Sequence, residues 1–312
     1  MIKSTVKKIP NADVVLDKVR NTYKRIRTQD IPDQELKKLF FKRLGYHLNL
    51  DEPKTFNEKL QWLKLNWKNP LIPICVDKLT VRDYVKQKGL GHTLNELIGV
   101  YENIKEIDFN KLPEKFVLKA THGSGWNIVC NDKKGIDWKT SKRKLKRWMN
   151  DNYYYHGYEW VYKEIKPRII SEKFLEDKKH DELLDYKFMC FNGEVKCLFI
   201  CSGRNKEEGL KVDFYDVDWN LMPFYRKYPN SGKKIPKPEG FNMMIEYAKL
   251  LSEPFPFVRV DFYEVNGKIY FGELTFFPGS GLEFFSPESY DNLLGSWIEL
   301  PSNDNFFYNQ QK

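Results

Sequence analysis

Apolar positions recur at helical spacing through the first third of the chain, and from Phe116 onward the period shortens to two. In DQELKKLFFKRL, Leu36, Leu39, Phe40 and Leu44 share one face, which predicts a helix over Asp33–Leu44 within a charged stretch of residues 1–50. TFNEKLQWLKL predicts a second helix over Thr55–Leu65, capped by Thr55 or Asn57, with Leu60 and Leu63 on its apolar side. DKLTVRDYVKQK predicts a third over Asp77–Lys88, stopped by Gly89.

Strand signals follow. FVLKA at 116–120 and WNIVC at 126–130 flank the loop His122-Gly-Ser-Gly125 and predict a hairpin. A helix is predicted over Lys139–Asn150, then strands at 168–175, 185–203 (turned at Asn192-Gly193) and 210–217. Residues 223–229 and 235–238 read as loops around Pro, and Asn242–Leu251 as a helix. The segment 257–281 is a long hairpin turned at Asn266-Gly267. Helices and antiparallel strands mix without βαβ alternation or repeats, so the expected class is α+β (mixed α/β).

Composition narrows the function classes. With 41% hydrophobic and 30% charged residues among 312, the chain is an ordinary globular sequence of one large domain or a few packed lobes. A net charge of +9 points to phosphate-bearing, polyanionic or anionic-membrane partners. No nucleic-acid-binding motif is present, so nucleic acid is not expected. The densest basic run, KTSKRKLKR at 139–147, reads either as the solvated face of a helix or as an anion- or membrane-facing patch. Five cysteines form no CxxC pair, and neither a signal segment nor an 18-residue apolar run occurs, which predicts a reduced, cytoplasmic chain. Aromatics reach 15%; they supply core mass and also line sugar and nucleotide pockets.

Neither a P-loop nor a dinucleotide-binding glycine fingerprint occurs. Three other pieces carry candidate chemistry. Lys119 lies in an apolar strand, where burial without an anion is costly, and the small-residue loop after it offers backbone N–H groups to phosphates. IISEKFLED at 169–177 can present backbone to an adenine edge, with Glu172 and Asp185 accepting hydrogen bonds from the nucleotide. Asp261 and Glu273 stand at nearly equal distances from the Asn266-Gly267 turn, on strands otherwise rich in Val, Phe and Leu. Two carboxylates brought together there repel unless a cation intervenes, and magnesium held by such a pair plus ATP phosphates removes that cost.

The order of these pieces resembles that of ATP-grasp enzymes over about residues 70–285. Within that superfamily TFNEKLQWLKL, DKLTVRDYV, LPEKFVLKATHGSG, DYKFMCFNG and VRVDFY…FGELTFFPGSG are similar to the TupA-like (teichuronopeptide-biosynthesis) family almost end to end. The resemblance implies an ATP-grasp fold of two α+β lobes clasping ATP, with a helical N-terminal region. It implies Lys78 and Lys119 on the α- and β-phosphates under the Gly123, Ser124, Gly125 loop. Glu172 and the backbone through Leu175 would take the adenine, with Asp185 on the ribose. Lys187 and Arg204 would face the γ-phosphate or acyl-phosphate, and His122 the phosphates or the incoming amine. Asp261 and Glu273 would bind magnesium, and Thr275 stands where many relatives carry Asn as the next ligand.

The implied reaction is ATP-dependent activation of a carboxylate and its capture by an amine. The implied substrates are an anionic polysaccharide or sugar acid and an amino acid or peptide, with a peripheral position at the inner face of the membrane. Tyr153, Tyr154, Tyr155 and Trp160 are candidates to stack on sugar, while core packing or a helix surface accounts for the same aromatics. The expected division is 1–70 helical, 71–115 pre-grasp, 116–175 small lobe, 176–300 large lobe and 301–312 tail. Two rival classes are a glycosyltransferase, on the DVD at 216–218, and a non-catalytic basic binding module.

Overall fold

The computed structural model describes residues 33–177, 182–203, 207 and 209–301. The expectations for residues 1–32, for Arg204 and for the tail beyond 301 lie outside them. In chain order the helices are α1 (Asp33–Leu44), α2 (Phe56–Asn66), α3 (Leu71–Val76), α4 (Val81–Gln87), α5 (Trp138–Met149), α6 (Phe241–Ser252) and α7 (Ser289–Ser296). The strands are β1 (Leu97–Tyr101), β2 (Phe116–Ala120), β3 (Asn127–Cys130), β4 (Ile169–Lys173), β5 (Asp185–Phe191), β6 (Glu194–Ser202), β7 (Lys211–Asp216), β8 (Tyr225–Arg226), β9 (Phe257–Val265), β10 (Lys268–Thr275) and β11 (Phe285–Ser286).

Two predicted elements change on folding. The helix expected over Asp77–Lys88 begins only at Val81, as α4, because Asp77 first turns the chain: its Oδ1 accepts the Leu79 N–H at 2.7 Å. The loop expected at 223–229 contains β8, which pairs with β11.

The chain forms two compact units. The first comprises Pro73–Arg82 and Asn95–Phe174, so the stretch expected as a pre-grasp linker contributes a strand, β1. Its sheet is antiparallel in the order β1-β4-β2-β3. Alternation in β2 buries Phe116, Leu118 and Ala120, and the first two pack with Ile128, Ile169 and Leu145 of α5 into the core. Only Ser141 and Leu145 of α5 are buried, so the basic run forms a solvated helix face. Tyr154 and Tyr155 are 3% and 8% exposed, so of the two readings open for them core packing holds and stacking on sugar does not.

The second unit comprises Asp33–Ile72, Asp83–Leu94 and the chain from Leu175. The helices α1 and α2 therefore belong with the C-terminal half. A capping box starts α2, with the Glu58 N–H donating to Thr55 Oγ1 and the Thr55 N–H to Glu58 Oε2. The main sheet is antiparallel, ordered β10-β9-β5-β6-β7. On one face Phe188 and Phe262 pack with Phe241 of α6. The opposite face carries Lys187, Asp185, Arg259, Asp261, Glu273 and Thr275. All five cysteines are free and buried, and no described helix is long and apolar enough to cross a membrane.

Candidate functional site

In the first unit the β2–β3 hairpin, the turn at Asp77-Lys78 and β4 bring a set of charged groups together. The Lys78 N–H donates to the Thr121 carbonyl at 3.2 Å, and its Nζ donates to the Gly123 carbonyl, which fixes the side chain to the glycine loop. Asp77 Oδ2 accepts from Arg168 Nη2 at 2.8 Å and anchors the same turn. Gly123 has to lack a side chain: a Cβ there would lie 2.6 Å from the Trp126 ring. Ser124 and Gly125 form the exposed end of the loop.

Lys119 projects from β2 and donates to Glu172 Oε2 at 2.6 Å, while Arg82 Nη1 donates to Glu172 Oε1 at 3.2 Å. Glu172 thus holds two cations, a role not foreseen for it. Leu175 follows β4 where the chain leaves the first unit. His122, expected to meet phosphate or amine, is 2% exposed and donates through Nε2 to the Trp148 carbonyl at 2.9 Å. Nδ1 has no hydrogen-bond partner among the described residues, and burial lowers the ring's pKa below the usual histidine range. The ring is turned inward because Trp126 lies against it, 5.2 Å between centroids.

In the second unit Glu273 stands opposite Asp261 in the β9–β10 ladder, although simple counting from the Asn266-Gly267 turn would place Gly272 there. A bulge at Gly272 absorbs the extra residue. A Cβ at Gly272 would lie 3.0 Å from the Asp261 carbonyl oxygen, so the bulge requires glycine. Lys187 is the next neighbour across the sheet, paired with Asp261 and, at 2.6 Å, with Asp185 Oδ2.

Arg259 is the residue that sequence reasoning missed. Its Nε and Nη2 donate to the two oxygens of Asp261 at 2.6 Å each, and Nη2 also reaches Glu273 Oε1 at 2.9 Å. Thr275 Oγ1 donates to that same Glu273 oxygen at 3.2 Å. The available signal was the position of Arg259, two before Asp261 and so on the same face of the strand. Burial alone would lower Lys187 and Arg259, but Asp185 and Asp261 outweigh it, and both cations stand above their usual ranges. Among the described residues no three His, Cys, Asp or Glu side chains converge as a self-sufficient metal cage. Asp261 is buried and Glu273 is about a third exposed.

A lysine-bearing hairpin, followed along the chain by an acidic pair on an antiparallel sheet, is the order of pieces expected of the ATP-grasp class. The chain belongs to the TupA-like ATP-grasp family, whose model matches residues 58–299 and so includes every residue just described. Among solved structures it is similar to the D-alanine–D-alanine ligase of Bacillus anthracis complexed with ATP. That likeness is at 14% identity and a TM-score of 0.42, covering 72% of this chain and 65% of that one. The Helicobacter pylori D-alanine–D-alanine ligase matches at 14% identity and 0.41, covering 80% and 69%. The ATP-grasp ligase PsnB complexed with a minimal precursor matches at 11% and 0.38, covering 70% and 59%. The chain thus spans just under two thirds of the first of these structures. No curated protein matches it.

Proposed function

We propose that this chain is an ATP- and magnesium-dependent carboxylate–amine ligase that joins an amino acid or peptide to a sugar-acid carboxylate in cell-surface polysaccharide biosynthesis. The observation that carries the reading is the ladder-opposed pair Asp261 and Glu273 beside Lys187, in a chain whose family match runs through all three.

The donor set fits magnesium, which takes one or two carboxylates and completes its shell with phosphates and water. Asp261 and Glu273 would hold the ion, with the Thr275 hydroxyl beside Glu273. Bound there, magnesium would neutralise phosphate charge during transfer. Arg259 now carries the charge of this pair and is the group that shifts to share Glu273.

Lys78 and Lys119 bind the α- and β-phosphates, and the Gly123–Gly125 loop covers them with backbone N–H groups. Glu172 orients Lys119 and the adenine side of the nucleotide, the backbone to Leu175 meets the base, and Asp185 takes the ribose. Lys187 and Arg204 steady the transferring phosphoryl group. A substrate carboxylate oxygen attacks the γ-phosphorus as the bond to ADP breaks. The amine then attacks the acyl carbon, phosphate leaves, and the nitrogen gives up a proton. These residues position and neutralise, and none forms a covalent bond. His122 holds the loop against Trp148. Use of ATP fits a cytoplasmic reaction, with the polymer presented at the inner face of the membrane.

The glycosyltransferase reading loses its motif. Asp216 Oδ1 accepts the N–H groups of Asp218 and Asn220 at 3.0 and 2.8 Å, so the DVD segment is a turn.

Calorimetry of ATP with magnesium tests the proposal on the parent, on Asp261→Ala/Glu273→Ala and on the milder Glu273→Gln. Expected is magnesium-dependent binding that weakens at least about tenfold in the variants, about 1.4 kcal/mol. A folded parent that binds no ATP overturns it. Binding justifies assaying ADP release with uronic acids and amines.

A further inference from the structure

The second unit has a basic cavity on the other face of its five-stranded sheet. Side chains alternate across a strand. Asp261, Lys187, Phe199 and Phe214 are ladder neighbours on one face, whereas Ser202 and Lys211, and next to them Ile200 and Asp213, pair on the opposite one. At the Lys211 end of that face lies a cavity of about 240 Å³, lined among others by Ser202, Gly203, Lys211, Ser231, Lys233 and Lys234.

The loop that supplies Lys233 and Lys234 is held at both ends. Asp213, buried on β7, accepts the Ser231 N–H at 2.9 Å, and Asn230 Nδ2 donates to the Val212 carbonyl at 3.1 Å. At the far end the Ile235 N–H donates to the Tyr215 hydroxyl at 3.2 Å, and its carbonyl accepts from Trp219 Nε1 at 3.0 Å. A loop tied down this way displays its two lysines with little ordering cost left for a ligand.

Among the described residues, none of Lys211, Lys233 and Lys234 makes an ion pair. The acidic side chain in the lining, Glu182, turns both oxygens to the Gly203 N–H, at 2.8 and 3.1 Å. Three ammonium groups around one small space repel one another, and an anion between them relieves that repulsion. Ammonium groups act as compact point charges that serve phosphate oxygens, and three of them suit the nearly double negative charge of a phosphate monoester better than the single charge of a carboxylate. The cavity is smaller than the roughly 300–1,000 Å³ of pockets for whole drug-sized ligands, so it suits a single compact group.

We propose that this cavity binds the phosphate monoester of a second ligand, on the sheet face opposite the Asp261–Glu273 cluster. Such a group is carried by a soluble sugar phosphate or by an acidic phospholipid headgroup. Glycerol 3-phosphate titrated by calorimetry probes the first source. Flotation with phosphatidylcholine vesicles, with and without phosphatidic acid, probes the second. Both use the full chain, the triple variant Lys211→Ala/Lys233→Ala/Lys234→Ala, and Lys119→Ala as a control at the other lysine cluster.

The expected result is binding to one of the two probes, weakened at least about tenfold in the triple variant and retained in Lys119→Ala. ATP affinity and thermal stability of the triple variant should match the parent. Which probe binds identifies the source. Failure of both probes with the folded parent overturns the proposal, as does binding that survives the triple variant or disappears in Lys119→Ala.

Discussion

Glu273 faces Asp261 across the β9–β10 ladder because one extra residue, Gly272, is taken up in a bulge between them. A strand without the bulge would set Gly272 opposite Asp261 and turn Glu273 to the helix-covered face, since a one-residue slip reverses every side chain.

Gly272→Ala is therefore expected to cost roughly 1–3 kcal/mol, because the new methyl meets the Asp261 carbonyl at 3.0 Å and the Tyr263 ring at 3.2 Å. Deleting Gly272 removes the extra residue, so Glu273 should stay opposite Asp261 in a regular ladder and magnesium-dependent ATP binding should persist. Urea unfolding and calorimetry on the two variants check both outcomes.

Arg259 bridges the two carboxylates, and Arg259→Met leaves them with one cation fewer in a buried setting. Removing one partner of such a buried group typically costs about 3–5 kcal/mol. The unbridged pair should also gain affinity for a divalent ion. Melting curves with and without magnesium, in the absence of ATP, should show a larger rise in Tm for the variant than for the parent. Equal shifts would mean that the pair does not take the ion.

His122 sets a pH dependence. Burial lowers its folded pKa below the unfolded value near 6.5, so the unfolded chain takes up the proton first. The stability this neutral ring confers is fully present above about pH 6.5 and falls as the pH drops from there toward the folded pKa. The slope in that window is at most about 1.4 kcal/mol per pH unit, the limit for one proton. Replacing the ring in His122→Gln should flatten it, as read from denaturant midpoints between pH 7 and 5.

The capping box at Thr55 gives a local test of α2. Thr55→Ala removes the acceptor of the Glu58 N–H and also the hydroxyl that bonds Tyr46 at 2.9 Å. A loss of about 1 kcal/mol in unfolding free energy is expected, with ATP affinity unchanged.

Periodicity and turn chemistry alone located the β2–β3 and β9–β10 hairpins, helices α1, α2, α5 and α6, and the solvated basic face of α5, whereas the pairing of Asp261 with Glu273 needed the bulge at Gly272. Each rests on short-range rules: alternation in a strand, Asn-Gly at a turn, Thr with Glu three residues on at a cap. The late start of α4 was missed because Asp77 looks like an ordinary helical residue until its side chain is seen bonding the Leu79 N–H. The burial of Tyr154 and Tyr155 was not decided by sequence for the complementary reason: an aromatic run reads the same in a core as on a surface.

Tertiary structure decided which charges meet. Lys187 with Asp185 and Asp261, Arg82 and Lys119 with Glu172, and Arg259 between two strands depend on sheet order, which no local pattern encodes. It also decided where the N-terminal helices belong. Gln61 Nε2 and Lys64 Nζ of α2 donate to the Ser280 carbonyl, at 3.0 and 2.7 Å, more than two hundred residues along the chain. Amphipathic spacing tells a helix to bury one face, but its hydrophobic drive is non-directional, so the partner is chosen only when the whole chain packs.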